Sequence, residues 1–156
     1  MSRILLRMER PTAGLNHPLP AGFALDQYQR RSHHALVPRL YADSFAEEPW
    51  GDDWDGFDEF DPNGIFIANH ESQQEPAGFV ICFRRAVYGY ISVVAVTPPY
   101  QRLGIASALM SRASEYLSSL DLDRVRIDAW EDSDPAVGTY LQLGFEVYER
   151  ELEEDA

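Results

Sequence analysis

One stretch decides the fold: Ile91-Ser92-Val93-Val94-Ala95-Val96-Thr97-Pro98-Pro99-Tyr100-Gln101-Arg102-Leu103-Gly104-Ile105-Ala106. It begins as an apolar strand, and apolar residues then recur at helical spacing over residues 105–120, which predicts a long amphipathic helix. Gly104 and the small Ala106 would let a diphosphate approach the backbone, where the N–H groups of the first helical turn bind anions. The stretch therefore predicts a phosphate cradle, although an ordinary strand-to-helix turn remains open on these residues alone.

Strand and helix patterns extend from this unit in both directions. Alternating or continuous apolar runs predict strands over residues 23–28, 65–68, 77–85, 88–96, 125–129 and 145–152, with a polar turn over 69–76. Helical spacing predicts further helices over residues 36–45 and 135–143, the second stopped by Gly144. The order of these elements predicts an α/β domain built on a mixed sheet.

Charge and composition exclude several kinds of function. The 156 residues carry 26 acids and 13 basic residues, all of them arginine, for a net charge of −13. Chemistry that needs a lysine amine is therefore excluded, and so much acid disfavours nucleic acid. The sequence has no apolar run of membrane-spanning length, which predicts a cytoplasmic protein. The four histidines show no metal-ligand spacing with one another or with the single Cys82, so we expect no metal.

Two motifs carry a family resemblance. Val96-x-Pro98-x-x-Gln101-x-x-Gly104-x-Ala106 resembles the acetyl-CoA-binding motif of the GNAT N-acetyltransferase superfamily, and Ala136-x-x-x-Tyr140-x-x-x-Gly144-Phe145 resembles that superfamily's second signature in the same order. The resemblance implies a mixed, mostly antiparallel central sheet with a splayed pair of strands and helices on both faces. It also implies an acyltransferase that uses acetyl-CoA.

The resemblance implies specific cofactor contacts. Backbone groups of the splayed strand would pair with the pantetheine arm, amides of the cradle would hold the pyrophosphate, and Ser133 stands where relatives commonly have an asparagine. The implied cofactor-binding residues are Val94, Ala95, Val96, Gln101, Arg102, Leu103, Gly104, Ile105, Ala106, Ser107, Ser133 and Tyr140.

Two residues are predicted to be catalytic. Tyr140 matches the family tyrosine that protonates the departing thiolate, a role that requires its hydroxyl close to the sulfur. The attacking amine arrives mostly protonated near neutral pH, so a base must accept its proton. Asp128 is the best candidate for that base, but it could instead pair with Arg126 or another arginine. Loop acids such as Asp52, Asp53 and Asp55 remain rival bases.

An acidic segment indicates the acceptor. Nine acids lie between Asp43 and Asp61 without any basic residue, where the family topology would put the roof of the acceptor pocket. These acids would attract a cationic amine, although a solvated surface without a partner is the alternative. We therefore predict acetylation of a primary amine of a cationic small molecule, in a ternary complex. Acetylation of a protein or peptide, and a non-catalytic acyl-CoA-binding domain, remain alternatives.

The chain is predicted to have an arm and one domain. Residues 1–20 read as an arm with a short alternating strand over residues 3–9, and residues 21–156 as a single acetyltransferase domain. Many relatives end in two antiparallel strands, whereas only one strand is available here after the second signature. We hypothesise that the strand of the arm supplies the missing edge of the sheet, within the chain or in a homodimer partner.

Overall fold

The architecture was analysed in a computed structural model that describes residues 2–45 and 61–154. Within them the elements, in chain order, are β1 (Ser2–Pro11), β2 (Phe23–Gln27), α1 (Arg30–His33), α2 (Leu36–Ser44), β3 (Ile65–His70), β4 (Glu75–Arg85), β5 (Tyr88–Val96), α3 (Ile105–Ser119), β6 (Arg124–Trp130), α4 (Asp134–Gln142) and β7 (Glu146–Glu154).

The strands form one seven-stranded sheet in the order β2-β3-β4-β5-β6-β1-β7. All neighbouring pairs are antiparallel except β5 and β6, which run parallel. One core contains the buried face of α3, with Leu109, Met110 and Leu117, together with Tyr140 of α4. A second core contains Val37 and Leu40 of α2. The predicted mixed, mostly antiparallel sheet with helices on both faces is confirmed.

The pair β5 and β6 separates partway along its length. Pairing is limited to three positions and stops at Ile91 opposite Ile127, although both strands continue further. On the other side of β5, the register with β4 shifts between Ile81 and Cys82, which leaves Ser92 as an extra residue in β5. Such a bulge bends its strand and increases the local twist. The predicted splay is therefore present, and it coincides with the bulge.

The N-terminal strand lies inside the sheet. β1 pairs with β6 on one side and β7 on the other, both antiparallel. Leu6 and Met8 point into the core and are 5% and 0% exposed. The arm strand thus joins the sheet within the same chain, but the prediction that it forms an edge is wrong: β1 is an interior strand, and β7 forms the edge because it pairs with the free side of β1.

Local differences from the predicted elements have physical causes. The turn predicted over residues 69–76 is shorter, because β3 continues to His70 and β4 begins at Glu75. Pairing with β2 extends this hairpin, with Phe23 opposite His70, and Asn69 donates a hydrogen bond to Asp26. The four-residue helix α1 was not predicted, since one turn is too short to show an apolar periodicity.

No helix among residues 2–45 and 61–154 combines the length and the apolar character needed to cross a membrane. The cytoplasmic location remains a prediction from the sequence.

Candidate active site

A cleft opens where β5 and β6 part. It has a volume of about 410 Å³ and draws its walls from β5, β6, α2, α4 and β1. Its lining residues are Leu5, Tyr41, Phe45, Tyr90, Ser92, Val93, Val94, Ile127, Asp128, Ala129, Trp130, Ser133, Ala136 and Tyr140. The splay that the bulge produces therefore creates the space, and both predicted catalytic residues lie in it.

Asp128 is held at this cleft by two neighbours. The Tyr90 hydroxyl donates a hydrogen bond of 2.9 Å to Asp128 Oδ2, and Arg7 Nη1 lies 3.7 Å from the same oxygen. The side chain of Asp128 is only 18% exposed. Of the arginine partners that the sequence left open, Arg126 pairs with Glu9 at 2.7 Å, and Arg7 is the one that lies near Asp128. Asp128 thus has an arginine neighbour as well as a place in the cleft, and that arginine comes from β1.

Burial affects both tyrosines of the cleft. It raises the pKa of Tyr140 to about 12. Burial and the neighbouring Asp128 carboxylate raise the pKa of Tyr90 to about 12. Both phenols are therefore protonated near neutral pH, and each can donate a proton or a hydrogen bond.

A second cleft surrounds the start of α3. It has a volume of about 140 Å³ and is lined by Val96, Tyr100, Gln101, Arg102, Gly104, Ile105, Ala106, Ser107 and Thr139. Arg102 and Gly104 have φ of 66° and 89°, and backbone in this left-handed region turns successive N–H groups into a concave anion site. The side-chain amide of Gln101 donates a hydrogen bond of 2.9 Å to the Val96 carbonyl, and this bond connects the loop to the end of β5. The predicted cradle residues therefore come together around a helix N-terminus.

The two clefts follow each other along β5 and α4. On β5, Val94 lines the first cleft and Val96 lines the second. On α4, Tyr140 lines the first cleft and the adjacent Thr139 lines the second. An elongated molecule with an anionic end could therefore lie across both, with that end at α3.

Five of the predicted cofactor residues do not line the cradle cleft, and two of them, Val94 and Tyr140, line the first cleft. The Ala95 side chain is 2% exposed and packs in the second core with residues of α2. Leu103 is 50% exposed and lines neither cleft. Ser133 precedes α4 and lines the first cleft rather than the cradle.

Several lining residues were not predicted from the sequence. Tyr90 and Trp130 are the clearest: Trp130 follows Asp128 by two residues on β6, so strand alternation puts both on one face. That signal was present in the sequence. Thr139 in the cradle and Leu5 in the first cleft depend on how α4 and β1 pack, for which local sequence gave no signal.

Most of the predicted acidic roof lies outside the described residues. This holds for Asp52, Asp53 and Asp55, the rival bases. Asp61, at the end of the segment, accepts a hydrogen bond from the Tyr116 hydroxyl on α3 and another from the backbone of Asn63. Asp43 lines a separate cleft between α2 and the turn after β5. Neither of these two acids lines the cleft of Asp128.

Comparisons with known proteins agree on one family. A family model described as "Acetyltransferase (GNAT) family" matches residues 26–145. Mycothiol acetyltransferase of Tsukamurella paurometabola is 30% identical over 170 aligned positions, which cover 96% of this chain and 58% of that protein. The mycothiol acetyltransferase of Actinosynnema mirum is likewise 30% identical, and the alignment covers 54% of that protein's length. The chain thus spans little more than half the length of these relatives.

Solved structures show the same fold. A GCN5-related N-acetyltransferase from Sphaerobacter thermophilus has a TM-score of 0.83 at 19% identity, with 95% of this chain and 49% of that chain covered. A structure of the NatC complex bound to Gag peptide and CoA has a TM-score of 0.68 at 22% identity, with 80% and 84% covered. Together with the family match over most of its length, these likenesses show that the chain belongs to the GNAT family of acetyltransferases.

Proposed function

We propose that the protein is an acetyl-CoA-dependent N-acetyltransferase that acetylates a primary amine of a cationic small molecule in a ternary complex. The observation that carries the proposal is one cleft that holds a carboxylate and a protonated phenol and continues into an anion cradle. Its relatives named mycothiol acetyltransferase support acetyl transfer to a small molecule.

The cradle suits the phosphates of acetyl-CoA. Among the residues that the structure describes, no aspartate or glutamate lines it, and Arg102 at its rim is cationic. The backbone N–H groups from Arg102 to Ala106 would hold the pyrophosphate, and the N-terminus of α3 adds its favourable dipole. The N–H of Gln101 instead donates to the Pro98 carbonyl at 3.3 Å. Beyond Ile91, β5 no longer pairs with β6. Its backbone near Val94 and Val96 would pair with the amides of the pantetheine arm, with the Val96 carbonyl exchanging its present Gln101 donor for the ligand. When bound, the thioester supplies the activated acetyl group.

Asp128 and Tyr140 would each handle one proton of the transfer. The acceptor arrives as an ammonium and first gives one proton to the base. The new N–C bond then forms as the C–S bond breaks, the nitrogen loses its second proton to solvent, and the thiolate gains one from Tyr140, which is reprotonated from solvent. Asp128, directly or through a water, would accept the first proton from the ammonium. Tyr140 would donate the proton to the sulfur, because burial keeps its phenol protonated.

The walls of the cleft favour an ammonium. Asp128 is the one carboxylate among the lining residues that the structure describes, and aromatic rings surround it. Two of these rings already carry guanidinium groups: Arg3 lies 4.2 Å from the Trp130 centroid and Arg85 lies 4.5 Å from that of Tyr90. Aromatic faces next to a carboxylate attract cations by charge and by cation–π contact. An anionic acceptor would be repelled by Asp128 itself.

The experiment is an acetyl-CoA turnover screen over polyamines, aminoglycosides, amino acids and N-terminal peptides. Asp128→Asn should lower kcat/KM on the best acceptor by about 10²-fold or more, the usual effect of removing a general base. Asp123→Asn makes the same change of charge at an exposed position and should leave turnover unchanged. Reaction with anionic acceptors alone would contradict the cationic acceptor. CoA binding without turnover on any amine would instead indicate a non-catalytic domain.

A further inference from the structure

Arg7 lies between the candidate base and the edge of the sheet. It occupies the middle of β1, directly opposite Asp128 on β6 and opposite Glu149 on β7. Directly opposite residues on antiparallel strands have their Cβ atoms about 5 Å apart, so all three side chains share one face. The insertion of β1 into the sheet is what brings an arginine to Asp128.

The guanidinium of Arg7 is shared unequally among three carboxylates. Its Nη2 lies 2.5 Å from Glu151 and its Nε 2.9 Å from Glu149, whereas its Nη1 lies 3.7 Å from Asp128. The two short contacts are on β7 and the long one is at the cleft. Three negative charges against one positive charge leave the cluster anionic, so Asp128 is not neutralised by its arginine.

We propose that Arg7 is a positioning residue and that Glu149 and Glu151 set how strongly Asp128 binds the ammonium group of the acceptor. This inference rests on the proposed function, because it takes Asp128 as the acceptor's partner. The β7 carboxylates hold the guanidinium near the limit of an ion pair with Asp128. An arriving ammonium can therefore pair with Asp128 without displacing a close guanidinium.

The proposal predicts opposite effects for two substitutions in one cluster. Glu151→Gln removes the nearest partner of Arg7, so the guanidinium can close on Asp128 and compete with the ammonium. Arg7→Gln removes the competing charge and leaves three carboxylates, which attract the ammonium more strongly. The Tyr90 hydrogen bond to Asp128 stays in both variants. Because Arg7 and Asp128 are 31% and 18% exposed, solvent screens the pair, and we expect changes of about two- to fivefold.

The test measures binding of 2-phenylethylammonium to the CoA-saturated protein at pH 7 by isothermal titration calorimetry. This probe has one positive charge and an aromatic body that suits the lining of the cleft. We expect Glu151→Gln to raise its Kd, Arg7→Gln to lower it, and CoA affinity to stay the same in both. Glu154→Gln changes the same charge at an exposed position three residues along β7, about 10 Å away, and should have no effect.

Shifts of the same sign in both variants would overturn the proposal, because a merely structural cluster would weaken binding in either case. Absence of probe binding to the wild-type protein would overturn it as well. Glu151→Gln retains Arg7 and decides the matter even if Arg7→Gln does not fold, since an unchanged Kd in that variant contradicts the proposal. Failure of the proposed function has a different signature, namely no acetyl transfer to any amine in the turnover screen.

Discussion

Tyr140→Phe is the sharpest test of the chemistry at the cleft. The substitution removes only the hydroxyl and leaves the aromatic ring, whose centroid lies 6.2 Å from that of Phe145 in the core. Because the packing is kept, we expect the free energy of unfolding to change by no more than about 1 kcal/mol. Any large effect on turnover would then report the proton that Tyr140 supplies.

The expected magnitude follows from burial. Tyr140 is 9% exposed, and burial raises the pKa of its phenol to about 12. This rise from the usual value of 10 makes proton donation harder by about 3 kcal/mol. The thiolate of CoA would form in the same desolvated cleft, where its charge is disfavoured too, so proton transfer to it regains part of this cost. General acids typically contribute 10²- to 10⁴-fold, and we expect a loss of kcat of about 10²- to 10³-fold.

The assay follows thiol release from acetyl-CoA under steady-state conditions, with the affinity for CoA measured separately by calorimetry. Tyr148→Phe provides the matched control, because Tyr148 is 45% exposed on β7 and lines neither cleft. Loss of kcat with unchanged CoA affinity is the expected result. The general-acid assignment is refuted if Tyr140→Phe keeps more than a fifth of the wild-type kcat.

Three further predictions concern stability and cofactor binding. Tyr140 stays protonated in the folded protein up to about pH 12 but ionises near pH 10 when unfolded, so its stabilisation is complete below pH 10 and is lost as the pH rises toward 12. Tyr140→Phe should therefore reduce, by up to about 3 kcal/mol, the fall in the free energy of unfolding that urea denaturation measures between pH 10 and 12. Met8→Ala should destabilise the protein by about 2–5 kcal/mol in the same assay, whereas Val87→Ala, in an exposed turn, should cost almost nothing. Gly104→Ala should weaken CoA binding, because alanine at a φ of 89° is strained by about 1–2 kcal/mol. Gly138→Ala is the control: it lies in the exposed middle of α4, where a Cβ meets nothing within 4 Å, and should stabilise the protein by about 0.5–1 kcal/mol. Equal CoA affinity in the two glycine variants would contradict the assigned cradle.

Local patterns were sufficient to predict most of the fold. A short window of sequence is enough to predict each of these elements. Alternation predicts the strands, helical spacing predicts α3, and a glycine predicts the tight turn before it. The cradle could be predicted for the same reason, because its N–H groups come from one continuous stretch around Gly104. The candidate acid Tyr140 followed from a motif that is equally local.

The surroundings of Asp128 could not be predicted in this way. Its two neighbours come from β5 and β1, 38 and 121 positions away along the chain. Contacts between strands so far apart in sequence leave no pattern in either segment alone. The alternation of β1 predicted a strand but not that both of its edges are paired. The bulge at Ser92 could not be predicted either. A bulge changes which side chains lie on each face of the sheet, but β5 is apolar on both faces, so its sequence shows no break in alternation.

The bulge and the inserted strand act together to make the cleft asymmetric. At Ser92 the bulge turns β5 away from β6, so the backbone of β5 faces the space in which the pantetheine arm would lie. β6 cannot follow, because its other edge is held by β1 along seven residue pairs that include Arg7 opposite Asp128. One wall of the cleft is thus open backbone and the other is a fixed side-chain surface. A thioester laid along the first wall would meet an amine held by the second, which is the arrangement that direct transfer requires.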